Sequence, residues 1–210
     1  IVDYAARIAR SQFAAATANV AAVAAGAFLF DRLWRLCTGN PYLDAAAAQH
    51  ALHSLSPVST GTVFYAALTG VVLWSSSVIG GWIDNWSEVR RLPQAIREHP
   101  LGRRWGRGRM ERLADLWRRN VSGWGTNVSL GLLLGMTPAL GHFLGLPLDV
   151  RHVTLSSGIL AFGAAGVGAE ALDGTVLAWA CAGVGVMFVL NLSVSFLCAL
   201  LLAARAYGIG

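Results

Sequence analysis

The side chains with the most chemistry to offer are arginines, and most of them lie in one stretch. Residues 90–119 carry ten of the sixteen basic residues, all of them arginine, against three acidic ones, which leaves a formal charge of +7. Guanidinium groups bind phosphate, whether in nucleic acids or in lipid headgroups. The stretch therefore predicts an anion-binding surface, and its candidate contact residues are Arg103, Arg104, Arg107, Arg109, Arg112, Arg118 and Arg119.

A second group of polar residues follows the third apolar segment. Asp149 and Arg151 have opposite charges and are two residues apart, with His142 before them and His152 after them. Asp149 and Arg151 flank the outer end of the fourth apolar segment, and if the fold brings the four side chains together, they form a polar cluster at the external face. The spacing alone does not assign a reaction to such a cluster.

No other pattern predicts catalysis or a bound cofactor. The chain contains none of the motifs GxSxG, HExxH, GxxxxGK[ST] and GxGxxG. His50 and His53 are three residues apart, but two histidines are a weak signal for a metal, and a surface helix with Asp44 at its N-cap is favoured. The three cysteines show no paired spacing. We therefore assign no catalytic residue, no metal ligand and no cofactor.

Long stretches without charge must position these residues. A bilayer core about 30 Å thick needs about 20 apolar residues in a helix. Here 55% of the residues are hydrophobic and 13% are charged. The alternative, a soluble protein with buried helices, is disfavoured because such helices seldom run beyond about 20 residues without a charge. The pattern predicts an all-α, polytopic membrane helix bundle, a single transmembrane domain over residues 1–210, with spans at about 11–32, 59–83, 123–146, 152–170 and 175–204.

The distribution of arginine near these five spans predicts their orientation. With the N-terminus in the cytoplasm, the cytoplasmic segments carry twelve arginines and the opposite side carries four. Residues 85–120 then form a basic cytoplasmic loop. Within the loop, Met110, Leu113 and Trp117 recur at helical spacing, which predicts an amphipathic helix on the membrane surface. If the third or fourth segment only re-enters the membrane, the C-terminus changes sides and the loop does not.

The third span carries a row of small residues and a proline. Gly131, Gly135 and Ala139 are spaced so that another helix can approach closely, and Pro138 removes a backbone donor, which predicts a kinked or broken helix. A packing helix is the favoured interpretation, and a broken helix lining a substrate path is the alternative. Polar residues within the spans are few, and we expect three asparagines to bond between helices: Asn19, Asn127 and Asn191.

Four blocks of the sequence carry a resemblance to a known family: RSQFAAATANV, HSLSPVSTGTVFYAALTGVVLWSSSVIGGWIDNW, RRLPQAI and NVSGWGTNVSLGLLLGMTPALGHFLGLPLDVRHVTLSSG. They resemble the C-terminal membrane part of a proteobacterial family labelled "site-specific recombinase". The resemblance covers nearly the whole chain and implies a large N-terminal region before it, so we expect a fragment of a longer protein.

The resemblance also implies the labelled activity, which the residues do not support. A recombinase needs a tyrosine or serine nucleophile among arginines, and a helix-turn-helix to read DNA is not apparent. Ser122 is the one serine close to the arginine stretch, and we place it at a membrane boundary. None of the four tyrosines is suitably placed for this role: Tyr4, Tyr42, Tyr65 and Tyr207. No catalytic residue is therefore carried over from the family.

Three functions remain, in order of preference. The first is a non-enzymatic anchor and assembly domain of the bacterial inner membrane. Its partners would be the bilayer, anionic lipids at the cytoplasmic face, the N-terminal region of the same protein and, in a homo-oligomer, further copies of the chain. The second is a transporter or lipid-handling protein with a path along the broken third helix. The third is a DNA recombinase that acts through the arginine stretch, and nucleic acid is the least favoured partner. DNA binding by this stretch alone would not be sufficient evidence for it, because any peptide this basic binds phosphate chains.

Overall fold

The computed structural model describes residues 2–206 and residue 208, with side chains from residue 10 onward. Across these residues the chain folds into helices joined by turns, with no strand. The predicted all-α class is confirmed. The helices are α1 (Val2–Thr38), α2 (Ala45–Ser54), α3 (Thr62–Val89), α4 (Leu92–Arg97), α5 (Gly102–Trp105), α6 (Arg107–Leu144), α7 (Val153–Val167) and α8 (Gly174–Ala206).

Four helices of the described chain are long and apolar enough to cross a membrane: α1 from Arg10 onward, α3, α6 and α8. The helix α7 is also apolar but has only 15 residues. At 1.5 Å per residue it is about 22 Å long, which is short of a bilayer core about 30 Å thick. Four of the five predicted spans therefore correspond to helices of sufficient length, and the five-span count stays a prediction.

The chain divides into two compact units. The first unit combines residues 1–71 with residues 148–210, and the second unit consists of residues 72–147. The helix α3 begins in the first unit and ends in the second. The single domain predicted over residues 1–210 stays a prediction.

In the first unit, α7 packs against α1 and α2, and α8 packs against α7 and α2. Glycines allow the close contacts. A Cβ at Gly163 would lie 2.9 Å from the Leu52 side chain of α2, and a Cβ at Gly183 of α8 would fall on the carbonyl oxygen of Leu55. The core is formed by apolar side chains from α2, its C-cap residue, α3, α7 and α8: Leu52, Leu55, Ala66, Val153, Ala180 and Met187.

Two polar groups fix the end of α1 and the start of α2. The Asp31 carboxylate accepts from Arg35 Nε at 2.7 Å and from the Tyr42 backbone N–H at 3.0 Å. Arg35 also donates to the carbonyl of Ala165 in α7. Asp44 Oδ1 accepts from the Ala47 N–H at 2.8 Å, so the predicted N-cap of α2 is confirmed.

In the second unit, α3 and α6 meet along a seam of small residues. Ser129 Oγ donates to the Ser76 carbonyl at 3.3 Å, and a Cβ at Gly125 would lie 3.3 Å from the Cα of Gly80. At the other end of the seam, Trp117 Nε1 donates to Ser87 Oγ at 2.8 Å. Small residues let helix backbones approach closely in lipid, where hydrocarbon gives no hydrophobic drive for association.

The helix α6 joins two elements that the sequence analysis separates. The predicted amphipathic loop helix is present as the first part of α6, and the third predicted span is its continuation. No glycine or proline lies between Met110 and Ser122, so nothing in that stretch ends the helix.

Pro138 does not divide α6, which continues beyond it to Leu144. A proline removes only its own amide donor, and Thr137 Oγ1 donates to the neighbouring Leu133 carbonyl at 2.7 Å. The helix ends instead at Gly145, which has φ +65°. There the N–H of Leu146 donates to the Gly141 carbonyl at 2.8 Å, the six-to-one bond of a Schellman motif.

The contact at Gly183 makes a stability prediction with a matched control. A Gly183→Ala substitution places a methyl group on the Leu55 carbonyl, so the backbone must shift, and we expect a loss of about 1–3 kcal/mol. Gly185→Ala, in the same helix, meets nothing within 4 Å and should gain about 0.5–1 kcal/mol from the helical preference of alanine. Thermal unfolding in detergent micelles measures both. Equal melting temperatures would contradict the packing of α8 on the Leu55 turn.

Candidate functional site

The least regular backbone between two apolar helices is the link from α6 to α7. Residues 146–152 have no helical structure, and their last five belong to the first unit. Backbone N–H and C=O groups that are not paired within a helix must find other partners when they are buried among apolar side chains. The side chains that supply those partners come from α3 and α8.

Asn191 is the principal partner of this link. It lies in the middle of the apolar helix α8 and is 1% exposed. Its Nδ2 donates to the Ala66 carbonyl at 2.9 Å and to the Arg151 carbonyl at 3.1 Å, and its Oδ1 accepts from the Val153 N–H at 3.0 Å. One amide side chain therefore connects α8, α3 and the start of α7. The predicted interhelical role of Asn191 is confirmed, whereas Asn19 and Asn127 are exposed.

Arg151 is held by its backbone and by its side chain. Its N–H donates to Thr69 Oγ1 at 2.8 Å, and the same hydroxyl donates to the Tyr65 carbonyl at 2.7 Å. The guanidinium donates to the Ser54 carbonyl at the end of α2 at 2.9 Å and pairs with Asp149 Oδ2 at 2.9 Å. Arg151 therefore ties α2 and α3 to the link.

The structure brings together part of the predicted polar cluster. Asp149 and Arg151 form an ion pair, and His152 follows as the N-cap residue of α7, where its carbonyl accepts from Ser156 N–H at 2.9 Å. Within the described structure, Arg151 Nε and His152 Nδ1 are buried without a hydrogen-bond partner. His142 is exposed in α6 of the second unit. Its membership of the cluster stays a prediction.

The arginine stretch forms a surface on α4, α5 and the start of α6, which we call the arginine surface (residues 90–119). Two ion pairs cross it: Arg97 to Asp115 at 2.9 Å and Arg118 to Glu88 at 3.9 Å. Both pairs are largely exposed and so contribute little stability. All seven candidate arginines are exposed and accessible to an anion: Arg103, Arg104, Arg107, Arg109, Arg112, Arg118 and Arg119.

An apolar groove of about 400 Å³, which we call the α4–α6 groove, opens on the same elements. The sequence analysis missed it. The sequence contains one signal for this groove, namely the spacing of Leu92, Ala95, Ile96 and His99, which places them on one face of a helix. The surrounding arginines and prolines make so short a helix difficult to recognise. The main groove-lining residues are Leu92, Ile96, Leu101, Trp105, Leu113 and Trp117.

The predicted packing row of the third span has no partner within the chain as described. A Cβ at Gly131 or Gly135 would meet nothing within 4 Å. Close packing is instead found at Gly80 and Gly125. The role of Gly131, Gly135 and Pro138 in helix packing stays a prediction.

The tyrosines have structural surroundings where they are described. Tyr42 packs against the rings of Phe30, Trp34 and Phe162, and Tyr65 lies in α3 next to Phe64. The side chain of Tyr4 and the whole of Tyr207 lie outside the described residues. Among the described side chains, no group of three or more His, Cys, Asp or Glu is placed to hold a metal ion.

The Asn191 contacts predict a large effect for a small change. In Asn191→Ala, the Val153 N–H and the Arg151 carbonyl lose their partner while staying buried, and an unsatisfied buried group costs about 1–3 kcal/mol. Ser193→Ala is the control, because the Ser193 hydroxyl is exposed and bonds only to the Val189 carbonyl of its own helix. Thermal unfolding in detergent should show a markedly lower midpoint for Asn191→Ala only. Equal midpoints would mean that the link does not depend on this amide.

Comparison with known proteins gives one match. A family model described as "Site-specific recombinase" matches residues 1–210. No curated protein and no solved structure matches the chain. The match covers every residue of the sequence, as the resemblance of the four blocks predicts, and the chain therefore belongs to the site-specific recombinase family.

Proposed function

We propose that this chain is a non-enzymatic, multi-pass domain of the bacterial inner membrane that anchors and assembles the protein to which it belongs. In this proposal the arginine surface lies at the cytoplasmic leaflet. The observation that carries the proposal is the continuity of α6, in which the arginine-rich start and the apolar candidate span form one helix from Arg107 to Leu144. Because the helix does not end between the two parts, the arginines are held at the end of a span.

The charge distribution supports the cytoplasmic placement. Short loops rich in arginine near the ends of spans stay on the cytoplasmic side of bacterial membranes. Exposed Trp105 lies among the arginines of α5, and Trp117 lies one turn before Val121. Tryptophan favours the interface between headgroups and hydrocarbon. Arginines at this level attract anionic lipid headgroups.

The bonding of the internal polar residues supports a structural role. Asn191 and Thr69 bond to backbone groups, and Arg151 bonds to the Ser54 carbonyl and Asp149. Each of these groups connects helices to the link between α6 and α7. Strand exchange would require a nucleophile beside arginines, and the described Tyr42 and Tyr65 are instead packed in an aromatic cluster and in α3.

Membrane anchoring predicts the fate of an attached protein. A soluble fluorescent reporter fused before Ile1 should be recovered in the membrane fraction and should stay there after an alkaline wash, because several apolar helices hold it. The reporter alone should remain soluble and serves as the control. Release of the fusion by the alkaline wash would contradict a domain that spans the bilayer.

The placement of the arginine surface predicts cysteine accessibility. In a background with Cys37, Cys181 and Cys198 replaced by serine, we introduce Gly108→Cys or, on the opposite side, His50→Cys. Both positions are exposed, and Gly108 has open space around it. A membrane-impermeant maleimide added to intact spheroplasts should label position 50 and should reach position 108 only after the membrane is permeabilised. Labelling of position 108 from outside would place the arginine surface on the wrong side.

A further inference from the structure

We propose that the α4–α6 groove holds one acyl chain of an anionic phospholipid whose headgroup contacts the arginine surface. The inference rests on the proposed function, which places residues 90–119 at the cytoplasmic leaflet. It adds a discrete, saturable lipid site to a surface that would otherwise attract lipid only by its charge.

The size and lining of the groove suit an apolar chain. Its volume of about 400 Å³ falls in the range of pockets that hold small molecules, about 300–1,000 Å³. Met110 is 3% exposed and forms the buried floor, whereas Leu113 and Trp105 at the rim are 41% and 50% exposed. When an apolar ligand covers exposed apolar side chains in a concave surface, their removal from water favours binding of that ligand.

Turns with positive φ angles connect the helices that line the groove. Arg91, with φ +52°, leads into α4, and Pro93 is one of its first residues. Gly106, with φ +85°, reverses the chain between α5 and α6. A Cβ at Gly102 would lie 3.4 Å from the Met110 side chain, so α5 approaches the floor of the groove closely. These turns hold α4 and α5 against one side of α6 and leave the concave face between them.

Charge favours an anionic lipid over other apolar ligands. Exposed arginines adjoin groove-lining residues along the chain: Arg103 and Arg104 precede Trp105, and Arg112 precedes Leu113. The stretch carries a net charge of +7. A phospholipid matches both properties at once, since its chain fills an apolar space and its phosphate meets guanidinium groups. A purely apolar peptide would leave the arginines without a counter-charge.

Continuity with a candidate span places the groove within reach of the leaflet. Trp117 lines the groove and lies four residues before Val121, about 6 Å along α6. Each headgroup layer is about 5–8 Å deep, so with Val121 near the hydrocarbon boundary the groove begins within that layer. Trp117 is also bonded to Ser87 at the end of α3, which fixes this wall of the groove to a second span. A chain from a neighbouring lipid can therefore enter the groove without leaving the membrane surface.

Groove filling tests the proposal with native mass spectrometry of the detergent-purified chain. Ala95 is exposed and lines the groove, so Ala95→Phe fills the space without disturbing a core. Gln94→Phe adds the same ring to the same helix at an exposed position that does not line the groove. After delipidation and titration with phosphatidylglycerol, the wild type and Gln94→Phe should each retain one lipid. Ala95→Phe should bind at least tenfold more weakly, with an unchanged melting temperature.

Three further probes separate the chain from the headgroup. Lysophosphatidylglycerol, with one chain, should bind like phosphatidylglycerol; phosphatidylcholine should bind at least tenfold more weakly; and glycerol phosphate, which has no chain, should not compete. Equal lipid retention by Ala95→Phe and the wild type would overturn the proposal, as would effective competition by glycerol phosphate. A chain dimer that is lost in Ala95→Phe would assign the groove to a second copy and would also overturn it. These measurements are made in detergent, so they succeed or fail independently of the cysteine labelling that tests the side of the membrane.

Discussion

A polypeptide segment without helical structure, packed among apolar helices, must have each of its backbone polar groups satisfied by a neighbour. At the end of the link from α6 to α7, the backbone groups of Arg151 and Val153 meet this constraint through side chains of α3 and α8. Asn191 bonds to the Arg151 carbonyl and to the Val153 N–H, on either side of His152, and Thr69 Oγ1 accepts from the Arg151 N–H. The helix α7, which follows this link, packs on α1 and α2, and α2 packs on α8. The few polar residues of these helices therefore specify the arrangement of the many apolar ones.

The long helices are predictable from the sequence because a charge is costly in hydrocarbon and its absence over 20 residues is easily seen. The cap at Asp44 is predictable because it depends on neighbouring residues only. The length of α7 is not predictable in this way, because the apolar run 153–169 continues past the end of the helix. The helix itself ends at Val167, before Gly168. The union of the loop helix with the third span is also missed, because a change from polar to apolar residues does not by itself mark a helix end.

The candidate sites are predictable to the extent that they depend on local sequence. The arginine surface and the Asp149–Arg151 pair come from neighbouring residues and can be inferred directly. Which of three asparagines lies between helices, and which small-residue row packs, depends on how each helix is rotated about its axis. Gly125 and Gly131 lie six residues apart in α6, but of the two only Gly125 faces another helix. The α4–α6 groove requires three helices to be placed together, which no local pattern encodes.

The unbroken course of α6 has a mechanical consequence. From Arg107 to Pro138 the helix is about 46 Å long and has no turn that could act as a hinge. A hydrogen-bonded helix is stiff along its axis, so a displacement of the arginine-rich start of α6 also moves the apolar part of the same helix. At Pro138 one backbone hydrogen bond of α6 is missing, which makes a bend easier there. A bend at Pro138 would therefore move only the last two turns of α6 before Gly145.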